Sequence, residues 1–202
     1  MAVKCVYHAL VPSLVARLNA LHPFQSADAR RLAILFAVVY FSQGMYHVPD
    51  QVLLLTLKEK LGLSPSQVAT FGWITLTPWV IKPLYGLISD AVPIFGRRRK
   101  SYFLLTCALA TLAGVALGTA GPPVYWRLAT MIFVMGLGLA FTDVLTDAMM
   151  VENGKPLGLT GAFQSVQWAS INVATILVGL IGATSRSSGT FRARSSSPRS
   201  FP

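Results

Sequence analysis

"WVIKPLYGLISDAVPIFGRRRKSY", residues Trp79 to Tyr102, sets one lysine, Lys82, beside Pro83 in an otherwise apolar run. The run closes on Asp90 and is followed by four consecutive basic residues, Arg97 to Lys100. In a membrane helix this pattern has a direct reading: a cationic cluster marks the cytoplasmic end, and a lysine further up the helix needs a partner or a water-filled cavity. Composition supports that setting. The chain has 202 residues, 53% of them hydrophobic and 12% charged, and its mean hydropathy is +0.58. A soluble domain carries roughly 25% charged residues, so the predicted class is an all-α integral membrane protein. Buried helices of a soluble all-α protein are the weaker alternative, because too few polar faces remain to meet water.

The net charge is +10. Nucleic-acid binders gather their basic residues on one solvated face. Here they sit in short blocks between apolar runs, which excludes nucleic acid as the expected partner and points to the lipid bilayer. The two cysteines, Cys5 and Cys107, allow no disulfide framework and no metal-ligand spacing. No catalytic constellation or cofactor motif is present, and no glycosylation sequon or lipidation motif.

A helix needs roughly 20 residues to cross a bilayer. Five apolar segments approach or exceed that length: Leu32–Val48, Val68–Ser89, Tyr102–Ala120, Leu128–Asp147 and Gly161–Ala183. They predict about five transmembrane helices in a bundle over residues 32–183. Lys4, Arg17, Arg30, Arg31, the Arg97–Lys100 block and Lys155 fall on one set of loops. Lys58 and Lys60, partly offset by Glu59, fall on the other. The positive-inside rule then places the amino terminus in the cytoplasm, stroma or matrix. Residues 1–31 read as a cytoplasmic segment, either a surface-lying amphipathic helix or a transit peptide; Val6, Leu10, Leu14, Leu18 and Leu21 recur at helical spacing. Residues 184–202, rich in Ser and Arg without periodicity, read as a disordered tail. Its four arginines fall on the side that the rule assigns outside. Either the tail is the altered end of a longer protein or the fifth segment does not cross.

Charges inside the segments carry the chemistry. Counted from Gln67 at about 1.5 Å per residue, Lys82 lies about 22 Å down its helix. A lone lysine there costs on the order of 3 kcal/mol. Snorkelling to the surface is one way out. A partner is the other, and the fourth segment supplies candidates: Asp143 and Asp147 share one helix face at four-residue spacing. Counted from Trp126, Asp143 lies about 25 Å down, which matches Lys82. Asp147, one turn lower, falls nearer Asp90 and the arginines Arg97, Arg98 and Arg99, either in an interfacial cluster or simply solvated. Gly72, Pro78, Pro83 and Gly86 crowd the second segment, and Gly136 and Gly138 the fourth. Such residues serve close packing, or a broken helix beside a midplane solute site.

"GLISDAVPIFGRRRK", Gly86–Lys100, resembles the loop signature between spans two and three of the major facilitator superfamily: a Gly, an Asp four residues on, then Gly96 and a basic cluster. "KPLYGLISDAVPIFGRRRKSY" (Lys82–Tyr102), "TDVLTDAMMVE" (Thr142–Glu152), "GAFQSVQW" (Gly161–Trp168) and "YFSQGMYHVPDQVLLLTLKEKLGLSP" (Tyr40–Pro65) are similar to one branch, the folate–biopterin transporter family. The likeness covers roughly Leu32 to Gly182. It implies a proton- or ion-coupled carrier of folates and pterins with about twelve spans in two halves. This chain would then be a truncated amino-terminal half, a fragment without the sixth span or the second half.

On that resemblance, Asp143 is the candidate acceptor for the adjacent N–H donors of a pterin edge, and Lys82 the candidate partner of a folate carboxylate. Trp79, Trp168 and Tyr46 are candidates to stack on a flat ring, against the ordinary alternative of interface anchoring. Gln164 and Gln167 should find polar partners in the bundle. Asp147, Asp90, Arg97, Arg98, Arg99, Gly86 and Gly96 are the candidate gating or proton-relay residues. Expected partners are a folate or pterin, protons and a full-length transporter, in the plastid envelope or the plasma membrane. Two other functions remain open at this level: a non-transporting truncated protein that binds a full-length relative, and a major facilitator carrier of another solute. A Mg-dependent membrane transferase would need more acidic ligands than one Asp pair.

Overall fold

The computed structural model describes residues 23–47, 50–94, 96 and 99–195; for residue 51 and residues 181–195 it describes the backbone alone. Most of residues 1–31, Arg97, Arg98 and residues 196–202 lie outside the described residues. Among the described residues, seven α-helices follow one another: α1 (Ala27–Met45), α2 (Asp50–Leu55), α3 (Pro65–Val80), α4 (Lys82–Ala91), α5 (Lys100–Thr119), α6 (Tyr125–Leu157) and α7 (Thr160–Ser195). A π-helical turn, Thr56–Lys60, continues α2.

Local signals set the helix ends. Ser26 caps α1, its Oγ accepting from the Ala29 N–H at 3.1 Å, with Asp28 in the first turn where it complements the helix dipole. Ser64 opens α3 with a capping box: its Oγ accepts from the Gln67 N–H, and the Gln67 side chain accepts from the Ser64 N–H at 2.9 Å. Pro65 takes the first helical position, where no donor is lost. Gly158, at φ 64°, closes α6 in the left-handed conformation that glycine adopts without strain.

The second apolar segment is not one helix. It breaks at Ile81 into α3 and α4. Pro83 has no N–H to return to Trp79 four residues back. The Tyr85 hydroxyl instead reaches the neighbouring carbonyl of Pro78 at 3.0 Å, so that acceptor is satisfied by a side chain. The break leaves Lys82 as the first residue of α4, beside the long central helix.

α6 is that central helix: α1, α3, α4, α5 and α7 all pack on it. Its buried residues include Ala129, Ile132, Gly136, Ala140, Asp143, Thr146 and Met150. Glycine permits the closest crossing. A Cβ at Gly138 would stand 2.7 Å from the Thr106 carbonyl oxygen and 2.8 Å from the Ala110 nitrogen, so α5 and α6 touch backbone to backbone. There Thr106 and Thr142 join their hydroxyls at 2.8 Å. α1 and α7 meet in the same way at Gly44, where a Cβ would lie 2.5 Å from that of Ala174.

Three apolar clusters surround the helix centre. Phe36, Tyr40, Met150 and Phe163 join α1, α6 and α7. Tyr85, Tyr102, Phe141 and Leu145 join α4, α5 and α6. Leu57, Phe71, Ala129 and Ile132 close the far end. Large apolar side chains also point outward, among them Ile34, Leu84, Leu112 and Ile176.

The all-α class holds. Among the described residues, two helices, α5 and α6, are by themselves long and apolar enough to cross a membrane. The other three expected spans depart from that pattern for identifiable reasons. The first carries Asp28, Arg30 and Arg31 in its opening turns, the second is split at Ile81, and the fifth has side chains described only as far as residue 180. Helical backbone in α7 runs on to Ser195, into the stretch expected to be a disordered tail from 184. No proline interrupts the ladder before Pro198.

Candidate functional site

Three acidic residues step down α6, and each meets a different set of partners. Asp143 is the most enclosed, its side chain 7% exposed. One oxygen, Oδ2, lies 2.5 Å from Nζ of Lys82. The other, Oδ1, accepts from Nε2 of Gln43 at 2.8 Å. A carboxylate buried this far is tolerable only when paired and hydrogen-bonded, and here both oxygens are engaged. Lys82 reaches it because the break at Ile81 frees the start of α4. Its ammonium also sits 4.6 Å from the centroid of the Trp79 ring, within cation–π range. Of the two ways out for Lys82, the structure takes the ion pair rather than a reach to the surface.

Asp147 lies one turn on, about 6 Å along the axis. It accepts from the Tyr40 hydroxyl and, at 3.3 Å, from Nε2 of Gln167. Of the expected arginines, Arg97 and Arg98 lie outside the described residues, and Arg99 pairs with Asp90 and Glu152 instead of Asp147. The face of α6 that carries Asp147 looks toward α1 and α7, and these helices present Tyr40 and Gln167 there.

The arginine tier forms one step further. Nη2 of Arg99 contacts Asp90 at 3.3 Å and Glu152 at 2.6 Å. Arg99 thus ties the end of α4 to α6 across the start of α5. Gly96, at φ 70°, makes the turn between them in the left-handed region. Gly86 faces Val144 at ordinary contact distance.

Some expected site residues stand apart. Tyr46 and Trp79 do come together, their ring centroids 6.5 Å apart. Trp168 and Gln164 are exposed on α7, away from Asp143. The glutamine that enters the polar seam is Gln167. Three residues not singled out from sequence belong to the site: Gln43, Tyr40 and Glu152. Gln43 had a legible signal, an amide inside the apolar run Leu32–Val48, where a polar group needs a partner. Tyr40 had none, since a tyrosine in such a helix also serves at interfaces. Among the described residues, no three His, Cys, Asp or Glu side chains gather as a metal site would need.

The arrangement is a polar seam between α1, α4, α6 and α7, with opposite charges in direct contact and aromatic rings beside them. Each group that holds Asp143 is a side chain, so its partners can be exchanged without moving backbone.

Comparison with known proteins places these residues in a wider set. The BT1 family matches residues 43–191. The chain is 35% identical over 152 residues to probable folate-biopterin transporter 4 of Arabidopsis thaliana, covering 73% of this chain and 31% of that protein. It is 34% identical over 141 residues to the folate-biopterin transporter of Synechocystis sp., covering 69% and 28%. Folate transporter 1 of Plasmodium falciparum is 26% identical over 130 residues, covering 64% and 26%. The chain thus spans under a third of the length of these relatives. No solved structure matches it.

Proposed function

The chain belongs to the BT1 family, and from that membership we propose that it serves the membrane transport of folate- or pterin-type solutes, as part of a multi-pass helical carrier rather than as an enzyme. The observation that carries this reading is the Asp143 carboxylate, buried and held by Lys82 and Gln43. A pterin edge offers adjacent N–H donors, and a carboxylate accepts two of them in parallel as it would a guanidinium. On arrival the solute takes the oxygens that Lys82 and Gln43 hold in its absence. The Lys82 ammonium stays beside the occupied carboxylate and keeps its charge balanced in a medium of low dielectric; the carboxylate tail of a folate is the other partner it could take.

In this reading α1, the broken pair α3–α4, α5, α6 and α7 are five spans, with the Arg99 end toward the cytoplasm or stroma. A broken helix beside a charge at mid-depth is the arrangement in which transporters place solute sites. Asp147, bonded to Tyr40 and Gln167, is the candidate proton carrier. The Arg99–Asp90–Glu152 tier is the candidate latch.

The test is uptake of labelled folate and biopterin by cells that lack a route of their own. A complete carrier that contains this chain's sequence should give uptake above background. Asp143→Asn and Lys82→Met should each lower it at least about tenfold, the weight of one charge-assisted bond, at equal amounts in the membrane. Unchanged uptake in both variants overturns the assigned roles.

A further inference from the structure

We infer that a cavity of 460 Å³ at the His47 end of the bundle is a second recognition site for the planar ring of a pterin-type solute, separate from the Lys82–Asp143 pair. Its ligand class rests on the transport reading above; its location does not. The cavity lies between the end of α1, α2 and α3, and its lining includes Tyr46, Trp73, Trp79, His47, Asp50 and Gly72.

Four observations point to a flat ring with N–H donors. The volume falls within the range of small-molecule sites, roughly 300–1,000 Å³. Three aromatic side chains supply stacking surface, which needs no particular ring substituent. One carboxylate stands at the margin: Asp50 Oδ2 is 2.8 Å from Nδ1 of His47, and a carboxylate can accept at its second oxygen as well. Gly72 presents bare backbone, and a Cβ there would meet nothing within 4 Å, so the space beside α3 is open.

Trp79 links the two sites. Its ring lines the cavity and also carries the Lys82 ammonium 4.6 Å from its centroid. A ring stacked in the cavity on Trp79 is therefore one side chain away from the ion pair. The cavity acts as a vestibule in which a solute is recognised before Lys82 and Asp143 exchange partners.

The experiment uses the full chain in lipid nanodiscs, with biopterin binding measured by equilibrium dialysis. Asp143→Asn silences the deeper site, and the chain carrying it should still bind biopterin. Adding Gly72→Leu, which fills the vestibule from a position with room for it, should weaken that remaining binding at least about tenfold. Gly72→Ala should change it less than about threefold. Asp50→Asn, at an exposed rim position, gives an independent reading should the leucine variant fail to fold, and should weaken binding by a similar factor to Gly72→Leu, on the order of one hydrogen bond to a charged group. Biopterin binding that survives both Gly72→Leu and Asp50→Asn overturns the vestibule. If Asp143→Asn alone abolishes binding, the vestibule falls and the transport reading stands. If Asp143→Asn changes nothing while Gly72→Leu removes binding, the vestibule stands and the role of Asp143 falls. No binding by the unaltered chain overturns both.

Discussion

Nζ of Lys82 and Oδ2 of Asp143, 61 residues apart in the chain, lie 2.5 Å from each other at the centre of the helix bundle. The contact joins the broken second segment to the central helix at a level where the two carry opposite charges. Its energetics are asymmetric. Removing one partner leaves an uncompensated charge, whereas removing both leaves an apolar seam.

The second replacement should therefore act in the opposite direction to the first. Lys82→Met is expected to destabilise the folded chain by about 3 kcal/mol. Adding Asp143→Asn to it should restore most of that loss, because the amide can still accept from Gln43. Thermal unfolding in detergent, followed by circular dichroism across the four members of the cycle, measures the coupling. Additive losses would show that the two groups do not depend on each other.

Tyr40 is fully buried and donates its hydroxyl to Asp147. Tyr40→Phe keeps the ring among Phe36, Met150 and Phe163 and removes only the donor. A loss of about 1–3 kcal/mol is expected, the cost of leaving a charged acceptor under-satisfied. Gln167→Leu, at a longer bond on a more exposed residue, should cost less. Equal effects would contradict this ranking of Asp147's partners.

The α5–α6 crossing gives a steric prediction. Gly138→Ala places a methyl group within 2.7–2.8 Å of backbone atoms of Thr106 and Ala110, which cannot move independently. The helices must separate, at an expected cost of about 2–3 kcal/mol. Gly118→Ala, in α5 where a Cβ meets nothing within 4 Å, should instead be neutral or stabilising by up to about 1 kcal/mol through helix propensity. Parallel melting curves decide between tight packing and mere sequence preference at these positions.

Arg99 contacts both Asp90 and Glu152 while its own side chain is 19% exposed. Arg99→Gln should loosen the end of α4 from α6. Asp90→Asn, at a 62% exposed carboxylate, should change stability by under about 1 kcal/mol. If the tier is a latch, Asp90→Asn alters uptake kinetics in a working carrier while leaving the amount of inserted protein unchanged. Uptake and membrane abundance measured side by side test this, and unchanged kinetics would reduce the tier to an anchor.

Much of the site was legible before any coordinates. Depth counting along two helices matched Lys82 with Asp143, because helical rise is nearly constant and charges in apolar runs are rare. The same counting left the neighbours of Asp147 open. Depth fixes how far down a helix a residue lies but not which neighbour its face meets, and the rotation of α6 turns Asp147 to Tyr40 and Gln167. The aromatic candidates divided for a similar reason: Tyr46 and Trp79 converge, while Trp168 points outward.

Sequence by itself determined what depends on neighbours within one or two turns. That includes the all-helical class, the places of the charges and the family motifs. Tertiary structure alone decided what depends on contacts across long separations: Gln43 on Asp143, 100 residues away, Tyr40 on Asp147, 107 away, and the open cavity beside Gly72. Those contacts follow from how helices cross and rotate when small residues such as Gly138 and Gly44 let their backbones touch. No local period in the chain records that geometry.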